Sequence, residues 1–187
     1  IDTIRLLHLS GENITRIRGV FSGSLGFVFN EFSKGDRPFS GILKEAMQAG
    51  YTEPDPREDL SGNDVGRKLL ILARELELEN KFEDLRIENL IPEDLRTISL
   101  TEFPKHLSSM DALFGERLKR VPNGEVLRYV GELSGDLQTS RGVLEAKLVS
   151  VPETGPLGRV QGADSLIEIY TESYGAHPLV IQGAGAG

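Results

Sequence analysis

The chain has 187 residues, of which 39% are apolar, and a formal net charge of -8 at neutral pH. That length fits one ordinary domain or a large piece of a longer protein, and the acidity argues against nucleic acid as a partner, because phosphate binding needs a basic footprint. With no cysteine in the sequence, disulfides and thiolate metal sites are excluded; no apolar run reaches membrane-spanning length and no signal-peptide pattern opens the chain, so no membrane partner is expected and a soluble cytoplasmic protein is the default.

In chain order, IDTIRLLHL at the start reads as the tail of an apolar helix. Residues 13–21 (NITRIRGVF) read as a strand through Ile14, Ile17 and Val20. The tight turn SGSLG follows, then a helix over residues 25–32 with Leu25, Val28, Phe29 and Phe32 on one stripe. A second helix covers residues 39–49, with Gly50 just past its end as a cap. Pro54 and Pro56 are expected to keep the next loop free of helix. Ser61 is the expected N-cap of a third helix, with Asp64 in the capping-box position and Leu60 and Val65 as a hydrophobic staple; that helix runs to about Leu78. A short strand is expected within residues 85–90, and residues 92–120 are helical in pieces, interrupted at Pro104. From there the period changes to two, and residues 126–133, 142–151, 165–173 and 178–182 read as strands. Helices early and strands late predict an α+β fold, with a largely antiparallel or mixed sheet and helices packed on one face. The closing PLVIQGAGAG reads as a strand entering a glycine-rich turn, and both ends look cut, as in a middle segment of a longer polypeptide.

The chemistry concentrates in YTEPDPREDLSGNDVGRK, residues 51–68, which carries Glu53, Asp55, Glu58, Asp59 and Asp64 and ends on Lys68, directly before the apolar run LLILA. Charge beside a core is costly unless it is paired or used. Asp64 and Lys68 stand at i and i+4 on one helix, so their side chains meet. As a plain surface pair they would contribute about 0.3–0.5 kcal/mol. Lys68, however, precedes an apolar run and sits near a helix N-terminus, where the macrodipole disfavours a cation, a setting that suits acid/base work. The neighbouring acids supply what the ammonium of a small amino acid needs. Asp64 has an equally ordinary reading as a helix cap, and Asp55 and Glu58 read as loop-fixing groups partnered by Arg57 and Arg67. Gly23 and Ser24, at a strand-to-helix turn, present backbone N–H groups that suit a carboxylate. The acids match no calcium-loop spacing, so no metal is assigned. Alone, the closing GAGAG is a weak dinucleotide signal.

Taken together, GVFSGSLGFVFNEF, GYTEPDPREDLSGNDVGRKLLILAR, VLRYVG and PLVIQGAGAG resemble homoserine dehydrogenase, from about Asn13 to the end of the chain. The NEFS wording and the GAGAG ending look closest to the stand-alone fungal-type enzyme; the alternative is the form fused to aspartate kinase. The resemblance implies that residues 1–187 are the substrate-binding and dimerisation domain, with residues 183–187 beginning the return to a nucleotide-binding domain whose glycine-rich fingerprint is not in this sequence. It implies the reversible NAD(P)H-dependent reduction of aspartate 4-semialdehyde to homoserine, in threonine and methionine biosynthesis, with no tight cofactor binding by this segment alone. It further implies that Lys68 is the acid/base lysine and that Asp64 lies beside it, near the substrate hydroxyl. Glu53 would take the substrate ammonium, Asp59, Tyr51, Gly23 and Ser24 would shape the substrate site, and Gly183 and Gly185 would border the cofactor. Where the family pattern has Thr, this chain has Ser24, which keeps the hydroxyl. The competing readings are a non-catalytic dimerisation module built on the late strands and a divalent-metal hydrolase built on the carboxylates.

Overall fold

The computed structural model describes residues 1–184. Six strands form one sheet in the order β2-β4-β3-β1-β5-β6, where β1 is Ile14–Val20, β2 Arg86–Ile87, β3 Glu125–Ser134, β4 Val143–Pro152, β5 Asp164–Thr171 and β6 Leu179–Ala184. Only the short edge pair β2–β4 is parallel; every other pairing is antiparallel. The mixed sheet agrees with the α+β expectation, and the four late strands and the early β1 fall within two residues of where the two-residue period puts them.

The sheet has two unlike faces, because successive side chains alternate. One face carries Ile17, Tyr129, Leu133, Ala146 and Ile169 into the main core, together with α1 (Asp2–Leu9), α2 (Gly23–Phe32), α3 (Phe39–Gln48) and α5 (Asn63–Glu75). The other face has a smaller apolar patch of Val20, Val130, Val151 and Leu166, covered by Leu157 and Val160 of the stretch around α7 (Pro156–Arg159). Away from that patch it bears paired charges, with Arg16 on Glu132 at 2.6 Å and Arg18 on the buried Glu168 at 2.5 Å. The main helices therefore sit on one face, as expected, and the four-residue α7 on the other is an addition the sequence reading did not include.

Under α2 and α3, Phe39 and Phe114 stack at 3.8 Å, and Phe32 meets both edge-on. Such pairs contribute about 0.5–1.5 kcal/mol each beyond area burial. Phe114 belongs to α6 (Asp111–Lys119), whose Asp111 carboxylate accepts from the backbone N–H and hydroxyl of Ser40, capping α3 from outside its own sequence.

Two expectations fail at the start of α5. Pro56 does not exclude helix: it is the first residue of the five-residue α4 (Pro56–Leu60), a position where a missing N–H costs nothing, and Asp55 caps it by accepting from the Arg57 N–H at 3.1 Å. Ser61 therefore closes α4 in a right-handed conformation, with its hydroxyl donating to the Glu58 carbonyl, and cannot be the extended N-cap of α5. That place goes to Gly62, at φ +74, so Asp64 is not in a capping box and its carboxylate is left for Lys68. A Cβ on Gly62 would run into the Tyr129 hydroxyl and come 3.0 Å from Ile87, so glycine here serves both the left-handed turn and the close seating of α5 on the sheet. α5 ends at Glu75, three residues before the expected limit.

Candidate functional site: an acid-lined cleft with one ammonium

The first turn of α5 faces the junction between β1 and α2. Between them, the Tyr51–Asp59 loop and the β5–β6 hairpin lies a cleft of about 870 Å³. Of the residues expected at a site, Tyr51, Glu53, Asp59, Asp64 and Lys68 line it from the acidic segment, Gly23 and Ser24 from the start of α2, and Gly183 from β6. Gly185 lies outside the described residues.

Lys68 donates from Nζ to the main-chain oxygen of Phe21 at 2.7 Å and pairs with Asp64 Oδ2 at 2.8 Å. Its side chain is 44% exposed, so it is neither buried in the core nor loose in solvent. Two of its three N–H groups are thus accounted for, and the third is left for whatever occupies the cleft.

The acids divide by what they touch. Asp59 is fully engaged within the protein: Oδ1 accepts from the Ser24 hydroxyl at 2.6 Å and Oδ2 from the Glu53 backbone N–H at 2.9 Å. It ties the acidic loop to the start of α2. Asp55 is gripped by Arg57, whose guanidinium holds that carboxyl below its ordinary value. Arg57 also donates to the Ile98 carbonyl at 2.7 Å, anchoring the loop from behind; of the two arginines expected there, Arg57 takes the role and Arg67 does not. The Glu53 carboxylate, by contrast, makes no hydrogen bond or ion pair with the described residues and is exposed at the rim. Tyr51 stacks on Phe27 with centroids 4.5 Å apart and forms a flat wall beside it.

At the start of α2 the N-cap is Ser22, whose Oγ accepts from the Leu25 N–H at 3.3 Å and contacts Ser24 Oγ at 2.9 Å. The Gly23 backbone packs under the hairpin: a Cβ there would come 3.2 Å from the Ala163 carbonyl. Gly23 and Ser24, in the first turn of the helix, where N–H groups lack intrahelical partners, line the cleft. Among the described residues no group of three or more His, Asp or Glu side chains is gathered to hold a metal ion, and no helix is long and apolar enough to cross a membrane.

The homoserine dehydrogenase family profile matches residues 1–187. The chain belongs to the homoserine dehydrogenase family. It is 44% identical to the bifunctional aspartokinase/homoserine dehydrogenase 2 of Arabidopsis thaliana, over all of this chain and 20% of that protein. It is 39% identical to the homoserine dehydrogenase of Paracoccidioides brasiliensis, over all of this chain and 52% of that protein. The chain thus spans about a fifth of the fused plant enzymes it matches and about half of the fungal ones. A solved Candida auris protein of unknown function superposes with a TM-score of 0.87 at 36% identity, over all of this chain and 52% of that one. The homoserine dehydrogenase of Thiobacillus denitrificans shares the fold, with a TM-score of 0.72 at 24% identity over all of this chain and 39% of that one.

Several cleft-lining groups escaped the sequence reading. The Phe21 carbonyl, Ser22 and Ala163 are among them, as are Thr3 and Ile4 of α1 and Gln182 of β6. The Ser22 hydroxyl at a strand-to-helix turn was a usable capping signal. For the carbonyl there was none, because every residue has one.

Proposed function

We propose that this chain is the substrate-binding and dimer-forming part of a homoserine dehydrogenase that reduces aspartate 4-semialdehyde to homoserine with NAD(P)H. The carrying observation is that Lys68, held at two acceptors with one N–H to spare, shares a cleft with an uncommitted carboxylate, Glu53. A small amino acid with a reactive aldehyde needs an anion for its ammonium and a proton for its oxygen, and these two groups supply them.

In this reading Glu53 takes the substrate ammonium, and Asp59 holds the Glu53 backbone in place by its bond to that residue's N–H. The N–H groups of Gly23 and Ser24 at the start of α2 receive the substrate carboxylate, with the Tyr51 ring closing the side of the cleft. The third N–H of Lys68 goes to the carbonyl oxygen and delivers the proton as the alkoxide develops, while Asp64 keeps the ammonium from swinging away. NAD(P)H, when bound, supplies the hydride to the aldehyde carbon. Gly183 fits a ring placed at that end, since a Cβ there would meet none of the described residues within 4 Å. We assign Gly183 and Gly185 to the cofactor border, and residues 183–187 to the link toward a nucleotide-binding domain. Lys68 is the one basic side chain lining the cleft among the described residues, so the donors for the dinucleotide phosphates belong elsewhere in the protein. A homodimer through this domain and a cytoplasmic location accompany the reading.

The test is NADPH oxidation by the full-length protein with aspartate 4-semialdehyde. Lys68→Ala is expected to lower turnover by about 10²–10⁴-fold with its melting temperature unchanged, the range for loss of a general acid. Wild-type turnover in that variant removes the role of Lys68. Sedimentation of the full-length protein as a monomer across micromolar concentrations removes the dimer.

A further inference from the structure

The Phe21 carbonyl that receives Lys68 comes just after the last residue of β1 and just before the cap of α2, outside both regular elements. An oxygen in such a connection orients an ammonium only if something fixes the residue that carries it. For Phe21 that is its ring.

Gly19 on β1 and Gly131 on β3 are direct register partners on adjacent antiparallel strands. Both belong to the helix-covered face, two residues along from Ile17 and Leu133 respectively. Facing glycines inside a sheet weaken it and mark a place where something approaches the backbone closely. Here it is the Phe21 ring. A Cβ on Gly131 would come 2.8 Å from Phe21 Cδ2 and 2.9 Å from Cε2; a Cβ on Gly19 would run first into the Leu166 carbonyl oxygen of β5 and also come 3.0 Å from Phe21 Cζ. The ring thus lies in a slot that Gly131 leaves open and that Gly19, which also lets β5 approach, extends. Val65 closes the slot from above, since the same Cβ on Gly131 would come 2.9 Å from its Cγ1. Val65 and Lys68 are three residues apart on α5, hence on one side of the helix. The acceptor and the stem of the donor are therefore referenced to the same wedge of ring, strand pair and helix.

We propose that Phe21, Gly19 and Gly131 are positioning residues for the proton-delivering lysine: the glycine slot seats the Phe21 ring, the seated ring fixes the Phe21 carbonyl, and the carbonyl aims the Lys68 ammonium. This rests on the role given to Lys68 above. With the seat disturbed, the ammonium follows Asp64 alone and its third N–H loses its direction.

The experiment uses the full-length protein carrying Gly131→Ala, Phe21→Leu, or both. The added methyl pushes the ring out; the smaller side chain leaves it loose; together the methyl fills part of the space the ring gave up. Each single change is expected to lower kcat by about tenfold or more, because misplacement of a reacting group by about 1 Å can cost 10²-fold, with KM for the aldehyde little changed. The double variant is expected to recover part of the loss, because the methyl still meets Val65 Cγ1. An independent readout is competitive acetylation by acetic anhydride, with Lys68 followed by peptide mass against the other lysines. Its labelling should rise in each single variant and fall back in the double. If Gly131→Ala does not fold, Phe21→Leu alone carries both measurements. Unchanged labelling of Lys68 in the folded single variants overturns the proposal, and so does a double variant no better than the worse single. A wild-type protein without turnover overturns the reading of the site instead, and the labelling still decides the seat.

Discussion

Among the cations that main-chain carbonyls hold, Arg128 and Lys68 differ most in their surroundings. Arg128 on β3 is 4% exposed and spends its guanidinium on the carbonyls of Leu127, Leu157, Gly158 and Val160 and on the Asn30 side-chain oxygen. It makes no ion pair with the described residues, and burial pulls it down to about 10, partly offset by the charge of Glu153, so it stays charged at neutral pH. Its partners form the stretch that leads into the hairpin wall of the cleft, and Asn30 adds a bond to the Gly162 carbonyl at 3.0 Å. Lys68 is half-exposed and keeps an N–H unspent. A buried cation with each of its nitrogens bonded organises backbone; a half-exposed one that faces a cleft with a donor in reserve is equipped for chemistry.

A crossed pair of variants tests that contrast most severely. Arg128→Met leaves buried carbonyls without donors and should lower unfolding free energy by about 3 kcal/mol or more in urea titration. Lys68→Met should change it by under about 0.5 kcal/mol, as for a surface position. An Arg128→Met protein with the wild-type urea midpoint would erase the distinction. Next in size is Gly62→Ala, which opposes both the left-handed turn and the Tyr129 hydroxyl. A loss of about 2 kcal/mol is expected, with turnover falling as well on the role proposed for Lys68. Full stability in that variant would mean that the seating of α5 is softer than its contacts imply.

The smallest effect belongs to Asp55. Its pKa is depressed in the fold by Arg57, so the stability it contributes is present above the ordinary carboxylate value of about 3.9 and is lost as pH falls through the lower folded value. The gap between wild type and Asp55→Asn should be under about 1 kcal/mol at neutral pH and close toward pH 2. A gap that persists at pH 2 would show that Asp55 acts through shape and not through charge.

Much of this was legible in the sequence, and the exceptions share a cause. The late strands announce themselves by alternation, and the Asp64–Lys68 contact follows from helix spacing alone. The grouping of Glu53, Asp59 and Lys68 in one cleft came from family likeness, which the fold then made concrete. Side chains that act through main-chain partners were not legible: Arg128 looks like any strand arginine, and Gly19 and Gly131 gain meaning only when the register sets them opposite each other. Ser61 misled for a related reason. Its capping pattern is genuine, but Pro56 had already begun a helix that used the residue as its end.

The position of β1 constrains how the protein is made. It is the first of these six strands to be synthesised, yet its neighbours on either side, β3 and β5, begin only at Glu125 and Asp164. Until they arrive, the strand that ends at Phe21 has no sheet to join and the glycine slot has only one wall. Such long-range closure slows folding, so the cleft should take shape only once β3 and β5 have joined β1.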